Sequence, residues 1–153
     1  MTRVVEISEP AERSRIAEAV LRDLPDWFGI EESTRQYIED AATLPTLVVE
    51  PDAGFLCLKQ HTPRAAEIYV MGVRREQHRR GIGRALVAAA ERWCRAQGIR
   101  YLQVKTLAPS HPDELYGRTR RFYQARGFRP LEELAAIWGE ENPCLIMVER
   151  LET

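Results

Sequence analysis

Apolar residues in this chain change spacing repeatedly, from short alternating or continuous runs to recurrences every three or four positions. "RVVEI" predicts a short first strand, and "SEPAERSRIAEAVLRDL" predicts a helix with Ser8 as N-cap, Ile16, Ala19 and Val20 on one side, and a stop before Pro25. "DWFGIEESTRQYIEDAATL" predicts a second helix, capped near Glu32-Ser33, with Tyr37 and Ile38 inward and "WFGI" as an apolar entry loop. "TLVVE", "GFLCLKQ" and "AEIYVMGV" then read as an antiparallel meander, broken at Pro51-Asp52-Ala53-Gly54 and at Thr62-Pro63.

The strongest helical pattern follows Gly83: Ile82, Leu86, Ala89, Ala90, Trp93 and Gln97 share a face, and Gly98 stands where a left-handed cap belongs. "IRYLQVKTLA" predicts a strand, "PSHPDE" a loop, and "LYGRTRRFYQAR" a helix ended by Gly127. "GFRPLEELAAIWG" and "NPCLIMVERL" predict a closing strand pair. Strands and helices mix in one sheet, which makes the class α/β (α+β), and 153 residues without a linker or repeat predict a single domain over 1–153.

Composition changes this picture little. Cys57, Cys94 and Cys144 have neither paired spacing nor partnering histidines, so reduced core thiols are expected and no metal site is. The N-terminus lacks the layout of a signal peptide, and no apolar run approaches the roughly 18 residues of a membrane span; a cytoplasmic protein away from membranes is expected.

Charge changes it more. The formal net charge is −1, yet residues 71–130 carry 14 of the 22 Lys and Arg and 4 of the 23 Asp and Glu. A basic middle suits an anion. No nucleic-acid motif accompanies it, and an apolar helix and strand follow, so a small anion fits better than DNA or RNA.

The segment "VMGVRREQHRRGIGRALVAAAERWC" shows where such an anion would bind. A strand leading through a glycine turn into a helix presents unpaired N–H groups and the positive end of the helix dipole. Gly81 and Gly83 let a pyrophosphate approach the backbone, and Arg79, Arg80 and Arg84 add donors at the rim. A Walker loop would need GxxxxGK[ST], and a dinucleotide fingerprint would need a third glycine where Leu86 stands.

"HRRGIGRA" resembles the pyrophosphate loop of the GNAT superfamily of acyl-CoA-dependent N-acetyltransferases, [R/Q]xxGxG/A, at Gly81, Gly83 and Ala85. His78 takes the Arg or Gln position, and Ile82 lies between the glycines. "FYQARGF" is similar to the family's later helix and puts Tyr123 at its tyrosine, while Tyr116 stands where an Asn is common. The resemblance implies a mixed, mostly antiparallel sheet of about seven strands with about four helices and a V-shaped splay between strands 4 and 5 for the pantetheine arm.

The resemblance also implies roles. The backbone of Met71, Gly72 and Val73 would pair with the pantetheine, with the Met71 N–H on the thioester oxygen, and acetyl-CoA would be the cosubstrate, with no metal. Tyr123 would be the acid at the leaving thiolate. Glu67 is spaced from the loop as the catalytic Glu of the histone acetyltransferase branch is, and is the candidate base; otherwise it is a solvated strand residue. His111 and His61, read as loop residues, are lesser candidates. An amine must lose a proton before attacking, so a base and an acid are both needed.

The expected partner is an amine acceptor, a small cationic one by the acidic flanks. Trp27 and Phe28 would form its wall with Glu31 and Glu32 at the mouth; otherwise the two aromatics are core. Polyamines, amino acids, aminoglycosides, protein N-termini and lysines stay open, as does a homodimer. The alternative function is a non-catalytic acyl-CoA sensor or interaction module on the same fold.

Overall fold

A computed structural model describes residues 2–111 and 113–152. Seven strands, β1 (Val4–Ile7), β2 (Thr46–Val49), β3 (Gly54–Thr62), β4 (Ala65–Val73), β5 (Tyr101–Leu107), β6 (Arg129–Leu134) and β7 (Cys144–Arg150), form a sheet in the order β1-β2-β3-β4-β5-β7-β6. Four helices, α1 (Pro10–Arg22), α2 (Glu31–Ala41), α3 (Ile82–Ala96) and α4 (Glu114–Ala125), complete a mixed α/β fold. The strand and helix numbers match the expectation.

The chain separates into two compact units, the first made of residues 1–59 and 68–93. Within it β1 pairs with β2 and β2 with β3, both antiparallel. Ile16, Val20, Leu21 and Leu24 of the α1 region pack with Val48, Phe55 and Val70 into its core. Gly72 on β4 makes that packing fit, because a Cβ there would lie 3.0 Å from Val20 Cγ1 and 3.2 Å from Leu24 Cδ1.

The starts of α1 and α2 differ from the sequence expectation. The N-cap of α1 is Glu9, not Ser8; its carboxylate accepts from the Glu12 N–H at 2.9 Å. Pro10 explains this, since proline, with a fixed φ and no N–H, suits the first helical position and makes the preceding residue the cap. Helix α2 starts at Glu31 after Ile30, whose side chain makes no cap bond, rather than at Glu32-Ser33. Glu31 and Glu32 then occupy the first turn, where carboxylates favour the helix dipole, and the Thr34 hydroxyl ties back to the carbonyls of Phe28 and Ile30.

The second unit comprises residues 60–67 and 94–153. Here β7 is central, antiparallel to β5 along Tyr101–Leu107 and to β6, with a register shift between Pro130 and Glu132. Asp113 caps α4 by accepting from the Leu115 N–H at 2.9 Å. Gly98 (φ 77°) and Gly127 (φ 104°) end α3 and α4 in left-handed conformations, as the sequence predicts. All three cysteines are buried, and no disulfide joins them.

Candidate active site

In the first unit, β4 ends at Val73 and a single 3-10 turn over Arg75–Gln77 leads to the loop. Its arginines divide into two sets. Arg74 is structural: its guanidinium reaches Asp52 Oδ2 at 2.8 Å and the Asp52 carbonyl at 2.9 Å. Arg75 likewise donates its N–H to Asp23 and pairs with Asp26 at 3.2 Å. Arg79, Arg80 and Arg84 are exposed and, among the described residues, make no side-chain hydrogen bond or ion pair.

The loop backbone carries two left-handed residues, Arg79 at φ 67° and Gly81 at φ 79°. Gly81 adopts this at no steric cost, whereas an L-residue such as Arg79 is held there at about 1 kcal/mol or more. A Cβ on Gly81 would meet nothing within 4 Å, so what the position requires is conformation rather than space. Helix α3 begins at Ile82, with Gly83 inside its first turn rather than ahead of it. The Ala85 N–H closes that turn on the Gly81 carbonyl at 3.0 Å, and the N–H groups of Ile82, Gly83 and Arg84 precede the helical ladder. Such consecutive donors beside left-handed backbone form an anion-binding concavity.

His78, though exposed, folds back on its own loop. Its Nε2 lies 2.7 Å from the Val73 carbonyl oxygen, and its ring meets Trp27 edge-on at 5.8 Å. Trp27 and Phe28 are half-buried against the α1 core, and Phe28 meets Tyr37 edge-on. Glu31 is exposed but committed: Arg22 and Arg35 both bind its carboxylate and lower its pKa to about 2.

In the second unit, Glu67 is 3% exposed, which overturns the solvated-strand alternative. Its Oε1 is 2.7 Å from His61 Nε2, and Lys105 Nζ on β5 bridges Oε1 at 3.2 Å and Oε2 at 3.3 Å. His61, expected in a loop, is the penultimate residue of β3, because that strand runs past the expected "GFLCLKQ" to Thr62. The sequence reading missed Lys105 altogether: a lysine within a strand carries no local sign that a carboxylate 38 residues away will meet it.

Tyr123 is 5% exposed, edge-on to Phe122 at 5.2 Å and Phe128 at 5.4 Å. Burial pushes its phenol well above the usual tyrosine range. His111 does lie in the loop before α4, with a buried Nδ1 that finds no partner among the described residues; so does the Thr106 hydroxyl on β5. Among the described residues no three His, Cys, Asp or Glu side chains gather as metal ligands, and no helix is long and apolar enough to cross a membrane.

The acetyltransferase (GNAT) family profile matches residues 8–128. No curated protein sequence matches the chain. Among solved structures, a GNAT-family acetyltransferase structure from Desulfovibrio desulfuricans superposes with a TM-score of 0.81 at 21% identity, over 99% of this chain and 100% of that one. An aminoglycoside 6'-N-acetyltransferase complexed with coenzyme A gives 0.74 at 17% identity, over 99% and 98%. A GNAT-family acetyltransferase from Elizabethkingia anophelis with acetyl-CoA bound gives 0.65 at 17%, over 84% and 88%. At these identities the likeness to each is one of fold.

Proposed function

This chain belongs to the acetyltransferase (GNAT) family, and from that premise we propose that it transfers the acetyl group of acetyl-CoA to a primary amine by direct attack in a ternary complex. The observation that carries the reading is the left-handed pair Arg79 and Gly81 just before α3, where the exposed side chains of Arg79, Arg80 and Arg84 have no other partner among the described residues. In this reading the pyrophosphate takes the free N–H groups of Ile82, Gly83 and Arg84, with Arg79 and Arg80 neutralising it. His78 contributes by fixing the loop to Val73 rather than by reaching the ligand.

The Met71–Val73 backbone would pair with the pantetheine, and the Met71 N–H would donate to the thioester oxygen as it gains charge, a contact of about 3 kcal/mol in comparable sites. The amine nitrogen bonds to the carbonyl carbon, its proton passes to Glu67 directly or through one water, and the C–S bond breaks. Glu67 can accept: a carboxylate has about four lone-pair directions, and His61 and Lys105 use three, leaving one on Oε2. Tyr123, kept protonated by burial, would donate a hydrogen bond to the sulfur as it leaves.

For the acceptor, the reading favours a small cationic amine against Trp27 and Phe28, with Glu31 exchanging one of its arginines for the ammonium. The acidic residues that flank the basic middle of the chain support that class. The test is release of free thiol from acetyl-CoA across polyamines, amino acids, aminoglycosides and short peptides. Thiol release matched one for one by an acetylated cationic amine is expected. Tight acetyl-CoA binding with no release on any amine would leave the sensor reading instead.

A further inference from the structure

Arginine side chains also gather in the second unit, at a cavity whose lining includes neither Glu67 nor Tyr123. The cavity, of about 270 Å³, is lined by Arg64, Arg95, Arg100, Ile99, Leu151 and Glu152, together with Gly98. It lies where α3 ends and β5 begins. Its lining thus holds three arginines to one acidic residue, together with buried Ile99 and Leu151 as its apolar part.

The walls are tied in place. The Arg64 carbonyl accepts from the N–H groups of Arg100 at 2.8 Å and Tyr101 at 3.0 Å, and the Leu151 N–H donates to the Arg100 carbonyl at 2.7 Å. Arg64 Nη1 donates to the Gly98 carbonyl at 2.8 Å, and Arg95 Nε donates to the Glu152 carbonyl at 2.8 Å. A Cβ at residue 98 would lie 3.0 Å from Arg64 Nη1, so the glycine that ends the helix also gives the guanidinium its seat. Each guanidinium has five N–H donors, so those of Arg64 and Arg95 are oriented without being exhausted. The Arg100 side chain is exposed and makes no hydrogen bond among the described residues.

From this arrangement we infer that the cavity is a binding site for a small organic carboxylate. Guanidinium forks match a carboxylate with two parallel hydrogen bonds. The apolar part favours an anion with a hydrocarbon body over a fully hydrated one. The negative charge of Glu152 among the lining residues opposes a doubly charged phosphate more than a singly charged carboxylate, and the volume, near the small end of ligand sites, limits the body to about one ring. Capping of the α3 carbonyls accounts for Arg64 but gives Arg100 no task, and this separates the two readings.

The experiment is an amide NMR titration of the whole chain at low salt, with benzoate in one arm and inorganic phosphate in the other. Benzoate should shift the amides of Gly98, Ile99 and Arg100 to saturation, and phosphate should move them only at much higher concentration. Arg100→Gln, at an exposed position, should weaken benzoate by about 10-fold, the effect of one charge-assisted hydrogen-bonded pair, with the spectrum otherwise unchanged. Arg64→Gln should weaken it at least as much. Failure of benzoate to saturate those amides, or unchanged affinity in Arg100→Gln, would overturn the site. Phosphate binding as tightly as benzoate would overturn the carboxylate assignment.

Discussion

At residues 78–83 the backbone is the unusual part: two left-handed residues and a run of helix-start N–H groups, with arginine side chains at the edge. At Glu67 the backbone is ordinary strand, and what distinguishes the site is its company, His61 from β3 and Lys105 from β5 around a carboxylate almost sealed from water. The loop meets charge with fixed peptide dipoles that need no titration, whereas the Glu67 cluster holds charge on groups that exchange protons. A peptide dipole is lost by changing conformation or access; a side-chain cluster is lost by changing one atom.

The largest expected effect tests the loop side of that contrast. Gly83→Asp places a carboxylate in the first turn of α3, where it favours the helix dipole and so leaves the fold intact while repelling a pyrophosphate. Calorimetry should show acetyl-CoA affinity reduced by about 100-fold or more; an unchanged affinity would remove the phosphate reading. Next is Glu67→Gln, which keeps shape and removes the base. Turnover at pH 7 should fall about 100-fold, with much of the loss recovered near pH 10, where solvent deprotonates the amine, and acetyl-CoA affinity should barely move. A profile parallel to wild type across that range would return the carboxylate to a purely structural role.

Tyr123→Phe should cost less. Because burial raises the phenol's pKa, full transfer to a thiolate is uphill, and a hydrogen bond to the departing sulfur is what is lost. Turnover should fall about 10-fold or more without a change in acetyl-CoA affinity, read by steady-state kinetics with chemistry rate-limiting. Lys105→Met tests the company of Glu67 directly. It leaves a buried carboxylate without its ammonium and should lower stability by about 2 kcal/mol in denaturant titration, with much of that restored in the double variant carrying Glu67→Gln.

The smallest effect is expected in alkali. Burial raises the Cys57 thiol to about 12, held down slightly by the Thr46 hydroxyl. A group whose native pKa lies above its unfolded one contributes stability that is whole below the unfolded value, near 9, and is lost as pH rises toward the native one. Melting temperature should therefore decline from about pH 9 to 12, and Cys57→Ala should flatten part of that decline; an identical slope in the variant would place it elsewhere, Tyr123 being the next group of the same sign.

What could be read in the sequence follows the same division. The strand-loop-helix around Gly81 was legible because its parts are neighbours in the chain, as were the left-handed caps at Gly98 and Gly127 and the periodicity of α3. Glu9 as cap was legible too, through Pro10, and the preference for serine masked it. The His61–Glu67–Lys105 cluster was not legible, since it needs β3 to run two residues past its apolar pattern and a third strand to bring in Lys105. Nor was the left-handed Arg79, where no glycine marks the turn. Arg74 and Arg75 add to the basic middle of the chain, and only Asp52, Asp23 and Asp26, far away in sequence, show that they are spent on the fold.

The edge-on contact between His78 and Trp27 gives the loop an optical signature. Indole emission responds to the polarity and water exposure of its surroundings, so the fluorescence of Trp27 depends on where the ring of His78 rests. A ligand that settles on the helix start and draws the loop toward itself changes that distance, and the emission brightens or shifts with occupancy. With Trp93 and Trp138 replaced by phenylalanine, the protein becomes its own binding probe, readable in a stopped-flow trace without label or radioisotope.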